Sequence, residues 1–317
     1  MPGLILHGGA GSWKESRTRE KAVKTVEECT RLAWDVLGKK DAVTAVVAAV
    51  KCMEDSGYLN AGWGSVLDLM GGRSLDAGLM ASNGLLGAVA AVTATKNPIL
   101  LAQIVAVETP HILMGGAGAD MLAREHRLPP LPPPPSHVWE RYREALKKIL
   151  GGEARTRYGR SLVEYLQRNE RLARALREIA GLGDTVGAVA VDDEGLLAAA
   201  VSTGGVILKL PGRIGDSPVP GAGFYATRRV ACSSTGYGEQ IIRAMPCLRL
   251  SDYMNAGLSL EEALDKTIEH VNTLVGRDTM GFIAVDSEGR IGWRYNTEAM
   301  LVGYIDEQGK ARATAKP

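Results

Sequence analysis

The chain has 317 residues, of which 45% are hydrophobic and 23% charged, a composition typical of a globular protein with a substantial core. Its formal net charge of +1 provides no electrostatic basis for binding nucleic acid or an anionic membrane, so we expect neither partner. No apolar run reaches about 18 residues without a charge, which argues against a membrane-spanning segment. The N-terminus has neither a basic nor a long apolar region, so we predict no signal peptide and a cytoplasmic location.

The first 110 residues predict strands and helices in alternation. Strands are expected at 4–6 and 84–92, and helices at 17–37, at 42–53 and from Pro98 onward. Asp41 is a suitable N-cap for the second helix, and Asn97-Pro98 has the order of a cap followed by a first-turn proline. Gly71-Gly72 predicts a hairpin between two short strands.

The middle of the chain changes in character. Six of the nine residues from 128 to 136 are proline, which predicts a stiff surface connection. Residues 136–150 and 160–179 predict helices that are charged and poor in bulky apolar side chains. We therefore expect a solvated, flexible linker over about 125–184.

Regular structure resumes at Thr185. The apolar run 185–191 predicts a strand, and a turn leads from it into a second strand that ends at Ser202. A capping box at 259–262 predicts a helix to about Val275. Segments 280–286 and 290–295 predict a closing hairpin. The two halves are expected to form one core joined by the middle segment.

The cysteines and histidines predict no metal centre and no disulfide framework. The four cysteines contain no C-x-x-C pair, so we expect buried free thiols at Cys29, Cys52, Cys232 and Cys247. The five histidines are scattered without a helical pair, which argues against a catalytic zinc site.

The dipeptide Asp184-Thr185 lies where the charged segment gives way to the apolar strand. A threonine hydroxyl is a weak nucleophile unless a base lies beside it, and an N-terminal amine can be that base. Cleavage before Thr185 would therefore supply the base on the same residue. By itself, a threonine at the start of a strand is ordinary, because strands favour β-branched residues.

Three further segments favour the catalytic interpretation. The hairpin should return Thr203 to the level of Thr185, so that the two hydroxyl groups meet. In the loop 212–218, Arg213 offers a bidentate fork for a carboxylate and Asp216 an acceptor for an ammonium, which together suit the head group of a free amino acid. The alternative for this loop is a local surface ion pair. The segment 234–239 places a hydroxyl and backbone amides at a helix start, which suits an oxyanion hole.

The ordered set of motifs resembles the plant-type asparaginases, which are the isoaspartyl aminopeptidase and glycosylasparaginase family of N-terminal nucleophile hydrolases. The similarity covers nearly the whole chain apart from about residues 125–180. The motifs that carry it are His7–Gly11, Asn60–Val66, Leu75–Ala77, Gly87–Val89, Gly183–Val189, Ser202–Gly205, Gly212–Pro218, Gly221–Gly223, Thr235–Glu239, Asp278–Gly281 and Asn296–Glu298.

The resemblance implies an α+β fold, a four-layer αββα sandwich of the N-terminal nucleophile hydrolase type. It also implies that a single-domain precursor cleaves itself between Asp184 and Thr185 into an α subunit, 1–184, and a β subunit, 185–317. The αβ units of this family pair as homodimers. The implied activity is hydrolysis of L-asparagine and of β-aspartyl dipeptides.

The resemblance also assigns roles to single residues. Thr185 would be the nucleophile and Thr203 would orient it. Thr235 and the Gly236 amide would stabilise the oxyanion, and Asn60 would lie close to the Thr185 amine. Arg213, Asp216 and the Gly238 carbonyl would bind the substrate head group.

The family further has a structural alkali-metal loop just before the Asn-Ala-Gly motif, and the corresponding loop here has the same length. Backbone carbonyl groups that could bind sodium are those of Met53, Glu54, Ser56, Leu59, Ala61 and Trp63. The alternative is an ordinary connection between helix and strand. No other cofactor is expected.

Alternative functions remain open at the level of sequence. Asp184, where many members of the family have glycine, favours a glycosylasparaginase-like enzyme, but such an enzyme would need a secretory signal. A taspase-like endopeptidase would need a site open to a protein substrate. A nucleotide-binding module on the glycine loops 7–11 and 115–118 is a non-enzyme alternative, but neither loop matches a P-loop or a G-x-G-x-x-G motif.

Overall fold

The computed structural model describes residues 1–11, 17–151, 157–168 and 185–316. The helices are α1 (Arg17–Leu37), α2 (Ala42–Asp55), α3 (Pro98–Glu108), α4 (Gly116–Glu125), α5 (Ser136–Leu150), α6 (Arg157–Gln167), α7 (Gly238–Ala244), α8 (Pro246–Asn255) and α9 (Leu260–Val275). The strands are β1 (Gly3–Gly11), β2 (Leu75–Ala81), β3 (Leu86–Val92), β4 (Leu113–Gly115), β5 (Thr185–Val191), β6 (Leu197–Thr203), β7 (Phe224–Ala226), β8 (Val230–Gly236), β9 (Met280–Asp286), β10 (Ile291–Tyr295), β11 (Ala299–Ile305) and β12 (Ala311–Thr314).

These strands form two sheets, so the fold has the mixed α and β content that the sequence predicts. The large sheet has eight strands in the order β12-β11-β1-β5-β6-β2-β3-β4, and the small sheet has four in the order β10-β9-β8-β7. Neighbouring strands are antiparallel except for β3 and β4, which are parallel. Strand β5 therefore lies in the interior of the large sheet, between β1 and β6.

Alternate residues of the large sheet face different neighbours. Leu4 and Leu6 on β1 belong to a buried cluster with α1, α2 and α3, whereas Ile5 belongs to a second cluster with β8 and β9 of the small sheet. Side chains alternate between the two faces of a strand, so this sheet is covered on both faces. Double coverage explains why segments such as 185–191 are continuously apolar rather than alternating. On the small sheet, Phe282 packs in a third cluster with α8 and α9.

The middle of the chain differs from the predicted solvated linker. Helix α5 buries Val138, Tyr142 and Leu146 in a cluster that includes Leu67 and Ile207. Its apolar side chains are few but fall on one helical face, and an average composition does not detect such a face. The later part of the predicted linker and helix, residues 169–184, lies outside the described residues.

The proline run is held to the core by its own carbonyl groups. Proline has no backbone N–H, but its carbonyl can still accept a hydrogen bond. The carbonyl groups of Pro129, Pro132 and Pro133 accept, in that order, from the Lys96 amide, the Arg73 guanidinium and the Trp63 indole. The prediction of a surface connection did not include these anchors.

The cysteine prediction was wrong for two of the four residues. Cys29 on α1 and Cys52 on α2 form a disulfide with a Cα–Cα distance of 5.7 Å, whereas Cys232 and Cys247 are free and buried. Helices α1 and α2 pack side by side and bring together two residues that are 23 positions apart. Spacing along the sequence does not reveal such proximity, because a disulfide depends on the distance between the residues in the fold.

The predicted hairpin at Gly71-Gly72 was also wrong. Within the described segment 59–74 there is a short 3-10 turn at Gly62–Gly64 but no strand. The Asp68 carboxylate accepts hydrogen bonds from the amides of Met70 and Gly72, so the segment closes on an acidic side chain rather than on a strand ladder. Among the described residues, we find no helix with the length and apolarity that crossing a bilayer requires.

Candidate active site

Three polar residues lie at one level across neighbouring strands of the large sheet. In the register of the sheet, Thr203 on β6 is opposite Thr185 on β5 and also opposite Asp76 on β2. Directly opposite residues of antiparallel strands point to the same face, so the three side chains project together. The Thr185 hydroxyl donates a hydrogen bond of 3.0 Å to the Thr203 hydroxyl, as the predicted hairpin requires. Asp184, on the other side of the predicted cleavage site, lies outside the described residues.

Asn60 holds the turn that follows Thr203. Its Nδ2 donates to the Gly205 carbonyl at 2.7 Å, and its Oδ1 accepts from the Val66 amide at 2.9 Å. The Gly205 amide in turn donates to the Thr203 hydroxyl at 2.9 Å. A Cβ atom at Gly204 would lie 2.6 Å from Asn60 Oδ1, so this close approach requires glycine. Asn60 therefore acts on the threonine pair through the turn 203–205.

The predicted oxyanion residues lie at the end of β8. Thr235 is fully buried, and its hydroxyl accepts a hydrogen bond of 3.3 Å from the Ala10 amide on β1. Gly236 has φ +141°, and a Cβ atom there would lie 2.3 Å from the Thr279 carbonyl oxygen. Glycine is thus required at the residue whose amide is the candidate oxyanion donor.

Sequence analysis placed His7 in the motif 7–11 and assigned it no role of its own. His7 is fully buried, with Nε2 3.0 Å from the Ser233 hydroxyl on the small sheet. Burial lowers the pKa of His7 to about 3, and a hydrogen bond to the Thr185 backbone opposes this effect. A neutral imidazole therefore lies between the two sheets, beside the candidate nucleophile. A histidine inside an otherwise apolar first strand was the available signal.

Arg213 is held by a partner that sequence reasoning did not assign. Its Nε and Nη2 donate to the two carboxylate oxygens of Glu239 at 2.9 and 2.8 Å, a bidentate pair. Burial favours the neutral acid of Glu239, but the hydrogen bond and charge of Arg213 outweigh it, so the pKa of Glu239 lies below its usual value. The remaining nitrogen, Nη1, faces Gly205 and Gly215, whose Cβ positions would lie 3.2 and 2.9 Å from it. Glu239 ends the motif 235–239, which the sequence had already assigned to the same site as the loop 212–218. Its acidic side chain was therefore a usable signal for a partner of Arg213.

Asp216 is buried beside the same guanidinium. Burial raises the pKa of Asp216 to about 7, although the charge of Arg213 opposes the shift. Its Oδ2 has no hydrogen-bond partner among the described residues. A Cβ atom at Gly238 would lie 2.7 Å from Arg213 Nη2 and 2.9 Å from Asp216 Oδ1. Arg213, Asp216 and Gly238 therefore meet as predicted, rather than as an isolated surface ion pair.

Two buried charged residues next to this group were also missed. Lys209 is fully buried, and its Nζ donates to the Ser74 carbonyl at 2.8 Å. Asp76 is fully buried as well, and its Oδ1 accepts from the Ala91 amide at 2.8 Å. Asp76 stands in the motif 75–77 that the resemblance included, whereas Lys209 lies between the motifs 202–205 and 212–218. A single Asp or Lys in a sequence carries no sign of burial.

The predicted sodium loop lies between α2 and the 3-10 turn. Met53 and Glu54 belong to the last turn of α2, and Ser56 is its C-cap. Most of the predicted carbonyl ligands already accept hydrogen bonds in the chain. Those of Met53, Leu59, Ala61 and Trp63 accept, in that order, from the Ser56 hydroxyl, the Ala61 amide, the Gly64 amide and the Arg73 guanidinium. A carbonyl oxygen has two lone pairs, so the single bonds to Leu59, Ala61 and Trp63 leave capacity for a cation. The Met53 carbonyl accepts two bonds, from the amide and the hydroxyl of Ser56. Among the described residues, no group of three or more His, Cys, Asp or Glu side chains could hold a metal ion.

The side chain of Glu54 turns away from this loop. It accepts hydrogen bonds from Asn97 Nδ2 and from the Ile99 amide at the start of α3, each at 3.1 Å. Burial raises the pKa of Glu54 to about 8. The carboxyl group therefore caps the N-terminus of α3 and does not add a side-chain ligand to the loop.

Taken together, the fold and the site define an α+β protein of two sheets, with a threonine pair at adjacent strand ends beside a guanidinium and a buried carboxyl group. A protein-family model described as Asparaginase matches residues 1–314. The chain belongs to this family.

Known members of the family are similar to the chain over nearly their full length. It is 42% identical over 316 residues to the plant-type L-asparaginase of Pyrobaculum calidifontis, covering 99% of both chains. It is 37% identical over 308 residues to the plant-type L-asparaginase of Pyrococcus horikoshii, covering 97% of both. It is 36% identical over 308 residues to the isoaspartyl peptidase of Escherichia coli, covering 94% of this chain and 90% of that one.

Proposed function

We propose that the chain is a threonine hydrolase that converts L-asparagine to L-aspartate and ammonia and also hydrolyses β-aspartyl dipeptides. The hydrogen bond between Thr185 and Thr203, at the end of adjacent strands, is the observation that carries this proposal. The names of the relatives, plant-type L-asparaginase and isoaspartyl peptidase, support the two substrate classes.

The chain matures by cleaving itself between Asp184 and Thr185 into the subunits 1–184 and 185–317. The mature protein is one four-layer αββα domain, in which each sheet carries helices on its outer face. Contacts of the large sheet with α1 to α3, and of the small sheet with α8 and α9, support this arrangement. The αβ units pair as a homodimer, which native mass spectrometry would test.

The chemistry begins with the freed amine of Thr185. In the intact chain the Thr185 hydroxyl donates to Thr203. After cleavage the amine on the same residue replaces Thr203 as the proton acceptor, and Oγ1 attacks the side-chain carbonyl carbon of the substrate. The Thr235 hydroxyl and the Gly236 amide donate hydrogen bonds to the developing oxyanion. The protonated amine then gives its proton to the leaving nitrogen.

The resulting ester joins the aspartyl group to Thr185 Oγ1. Release of ammonia, or of the whole second residue of a dipeptide as a free amino acid, makes room for water. The amine of Thr185 deprotonates this water as it attacks the ester carbonyl, and aspartate leaves with regeneration of the hydroxyl. One residue thus serves as nucleophile and base in both halves of the reaction.

Substrate orientation comes from the charged groups beyond the threonine pair. Arg213 binds the α-carboxylate, and Asp216 with the Gly238 carbonyl binds the α-ammonium. The buried Asp216 Oδ2, unpartnered among the described residues, supports the ammonium contact because a buried acceptor is stabilised by a charged donor. Glu239 fixes the guanidinium plane through its bidentate pair.

We also propose one structural sodium ion on the carbonyl groups of the loop 53–63. The remaining lone pairs of Leu59 and Ala61 support it, and the ion would stiffen the connection that carries Asn60. No catalytic step depends on it. A higher midpoint of thermal unfolding in sodium chloride than in choline chloride of equal concentration would be expected.

Replacing Thr185 tests the function directly. The Thr185→Ala chain should remain a single species by intact mass spectrometry and release no ammonia from asparagine. Thr185→Ser retains a hydroxyl and should be cut, with reduced activity. An intact wild-type chain with full activity, or an active Thr185→Ala chain, would overturn the proposal.

A further inference from the structure

The loop between Thr203 and Arg213 is pinned by a buried lysine. Lys209 has no exposed surface, and its Nζ donates to the Ser74 carbonyl just before β2. Its own carbonyl accepts from the Leu69 amide at 2.8 Å. Lysine is almost never fully buried unless its charge is compensated, because removing the ammonium from water is costly. The position therefore needs a neighbouring anion.

Asp76 and, more weakly, Asp68 provide that charge across space rather than through a direct ion pair. Burial raises the pKa of Asp76 above its usual value, and the charges of Lys209 and Arg213 oppose the shift. Burial likewise lowers the pKa of Lys209, and the charge of Asp76 opposes that shift. Each group thus favours the charged state of the other. Asp76 is also the residue opposite Thr203 in the sheet, so it connects the lysine to the threonine pair.

Gly205 shows how close Lys209 lies to the head-group residues. A Cβ atom on Gly205 would be 3.0 Å from Lys209 Nζ and 3.2 Å from Arg213 Nη1, so the two cationic groups lie at most about 6 Å apart. The same glycine donates to the Thr203 hydroxyl and accepts from Asn60. Lys209 therefore lies, without access to solvent, beside Arg213 of the proposed head-group site and beside the turn 203–205 that holds the threonine pair.

We propose that Lys209 is a positioning residue for substrate binding: its ammonium ties the loop 204–213 to the start of β2 and fixes Arg213 for the α-carboxylate. Because Lys209 is buried, it acts through Asp76 and the loop and does not touch substrate. The inference rests on the proposed function, since it concerns the same head-group site. It assigns a role in binding rather than in bond cleavage.

The test replaces Lys209 by methionine, which has similar length but no charge and no donor. Lys209→Met should still be cut before Thr185, and KM for L-asparagine should rise at least tenfold while kcat falls less than threefold. Lys24→Met, at an exposed lysine on α1, changes the net charge equally and should leave both constants unchanged. An unchanged KM in a correctly cut Lys209→Met protein would overturn the inference.

A second variant separates positioning from folding. Lys209→Met leaves the buried Asp76 carboxyl with Arg213 as its remaining cationic neighbour, so the midpoint of thermal unfolding should fall. The double variant Lys209→Met with Asp76→Asn removes both charges and should recover that midpoint, because a missing pair costs less than a broken one. Its KM should remain raised. Recovery of KM together with stability would show that Lys209 only supports the fold.

L-Aspartate binding keeps this test independent of the reaction. Calorimetry with the wild-type chain and both variants measures the head-group site even if asparagine is not hydrolysed. If the wild-type protein binds aspartate but does not hydrolyse asparagine, the proposed function is contradicted. The comparison of aspartate affinity between wild type and Lys209→Met still tests the inference. Equal aspartate affinity in wild type and Lys209→Met, or no aspartate binding by wild type, would contradict the inference.

Discussion

At the scale of single residues, Thr203 and Gly205 determine where the Thr185 hydroxyl lies. The Thr203 hydroxyl accepts hydrogen bonds from both Thr185 Oγ1 and the Gly205 amide. A hydroxyl has two acceptor sites and one donor, so these two bonds use the acceptor capacity of Thr203. The orientation of the Thr185 hydroxyl, the proposed nucleophile, is therefore set by the strand end and the turn after it.

Protonation of Asp216 should make kcat/KM for asparagine fall on the acid side of its pH profile. Its pKa is raised to about 7 by burial, and only the ionised carboxylate can accept the substrate ammonium. Below pH 7, kcat/KM for asparagine should fall about tenfold for each pH unit. Asp216→Asn should lower kcat/KM and remove this fall. A pH profile that stays flat between pH 5 and pH 7 in wild type would contradict the assignment.

The raised pKa of Asp216 also predicts that the free energy of unfolding depends on pH. The folded-state pKa of Asp216 lies above the usual value of 3.8, so the folded chain holds the proton more tightly than the unfolded chain. Its contribution is complete below the unfolded value and is lost as the pH rises through about 7. Urea unfolding of wild type and Asp216→Asn between pH 4 and pH 7 would measure the difference.

At the scale of elements, a disulfide and a packed helix stabilise the segments around the candidate site. The disulfide joins α1 to α2, whose last turn leads into the loop that carries Asn60. Helix α5 covers the segments around Leu67 and Ile207, next to the loop of Lys209 and Arg213. Neither element carries a proposed site residue of the threonine pair or the head-group loop, yet both pack against the segments that do.

Reducing the disulfide should destabilise the chain. A crosslink between residues 23 positions apart contributes about 3 kcal/mol by restricting the unfolded state. The midpoint of thermal unfolding should therefore fall in dithiothreitol. The variant with Cys29→Ala and Cys52→Ala should start at the lower midpoint and not respond to the reductant. Equal midpoints for wild type with and without reductant would contradict a formed disulfide.

Truncating Tyr142 should show that α5 is part of the core. Tyr142 is fully buried, so Tyr142→Ala should lower the free energy of unfolding by about 3–5 kcal/mol. Lys147→Ala, on the exposed side of the same helix, should change it by no more than about 0.5 kcal/mol. Denaturant titration of the two variants distinguishes a packed helix from a solvated linker, which would tolerate both changes.

At the scale of the whole molecule, the position of β5 links cleavage to stability. The strand that begins at Thr185 lies between β1 and β6 in the interior of the large sheet. One of its neighbours precedes the proposed cleavage site and the other follows it. Pairing of β1 with residues 187–191 of β5, together with two buried clusters, would therefore join the two proposed fragments.

The fragments should consequently remain together after cleavage. In size-exclusion chromatography the cut wild-type protein should elute at the same volume as the uncut Thr185→Ala chain. The two fragments should separate only in denaturant, because separation would expose both faces of β5. Elution of the fragment 185–317 alone under native conditions would show that the sheet does not hold them.

The sequence predicted features that depend on local order along the chain. The Thr185–Thr203 contact follows from the equal lengths of two strands joined by a short turn, and the capping box at Ser259 depends on residues three apart. The disulfide, Asp76 and Lys209 could not be predicted in this way. Their roles depend on which residues the packing of distant segments brings together, and burial of a single charge leaves no trace in composition.

The structure brings Arg213, Asp216 and Gly238 together. The family resemblance added the Gly238 carbonyl to the two residues that the loop 212–218 had itself suggested. It did not reveal that Glu239 already holds the guanidinium, because an internal partner is visible only in three dimensions.

The proline run has one more consequence, which concerns the entropy of the unfolded chain. Each proline removes backbone freedom that folding would otherwise have to remove, a gain of about 0.4–1 kcal/mol where the native conformation suits it. Six of the nine residues from 128 to 136 are proline. Docking α5 through this segment therefore loses less conformational entropy than docking through a polar linker of equal length. A segment without a regular hydrogen-bond ladder thus makes the helix behind it easier to order.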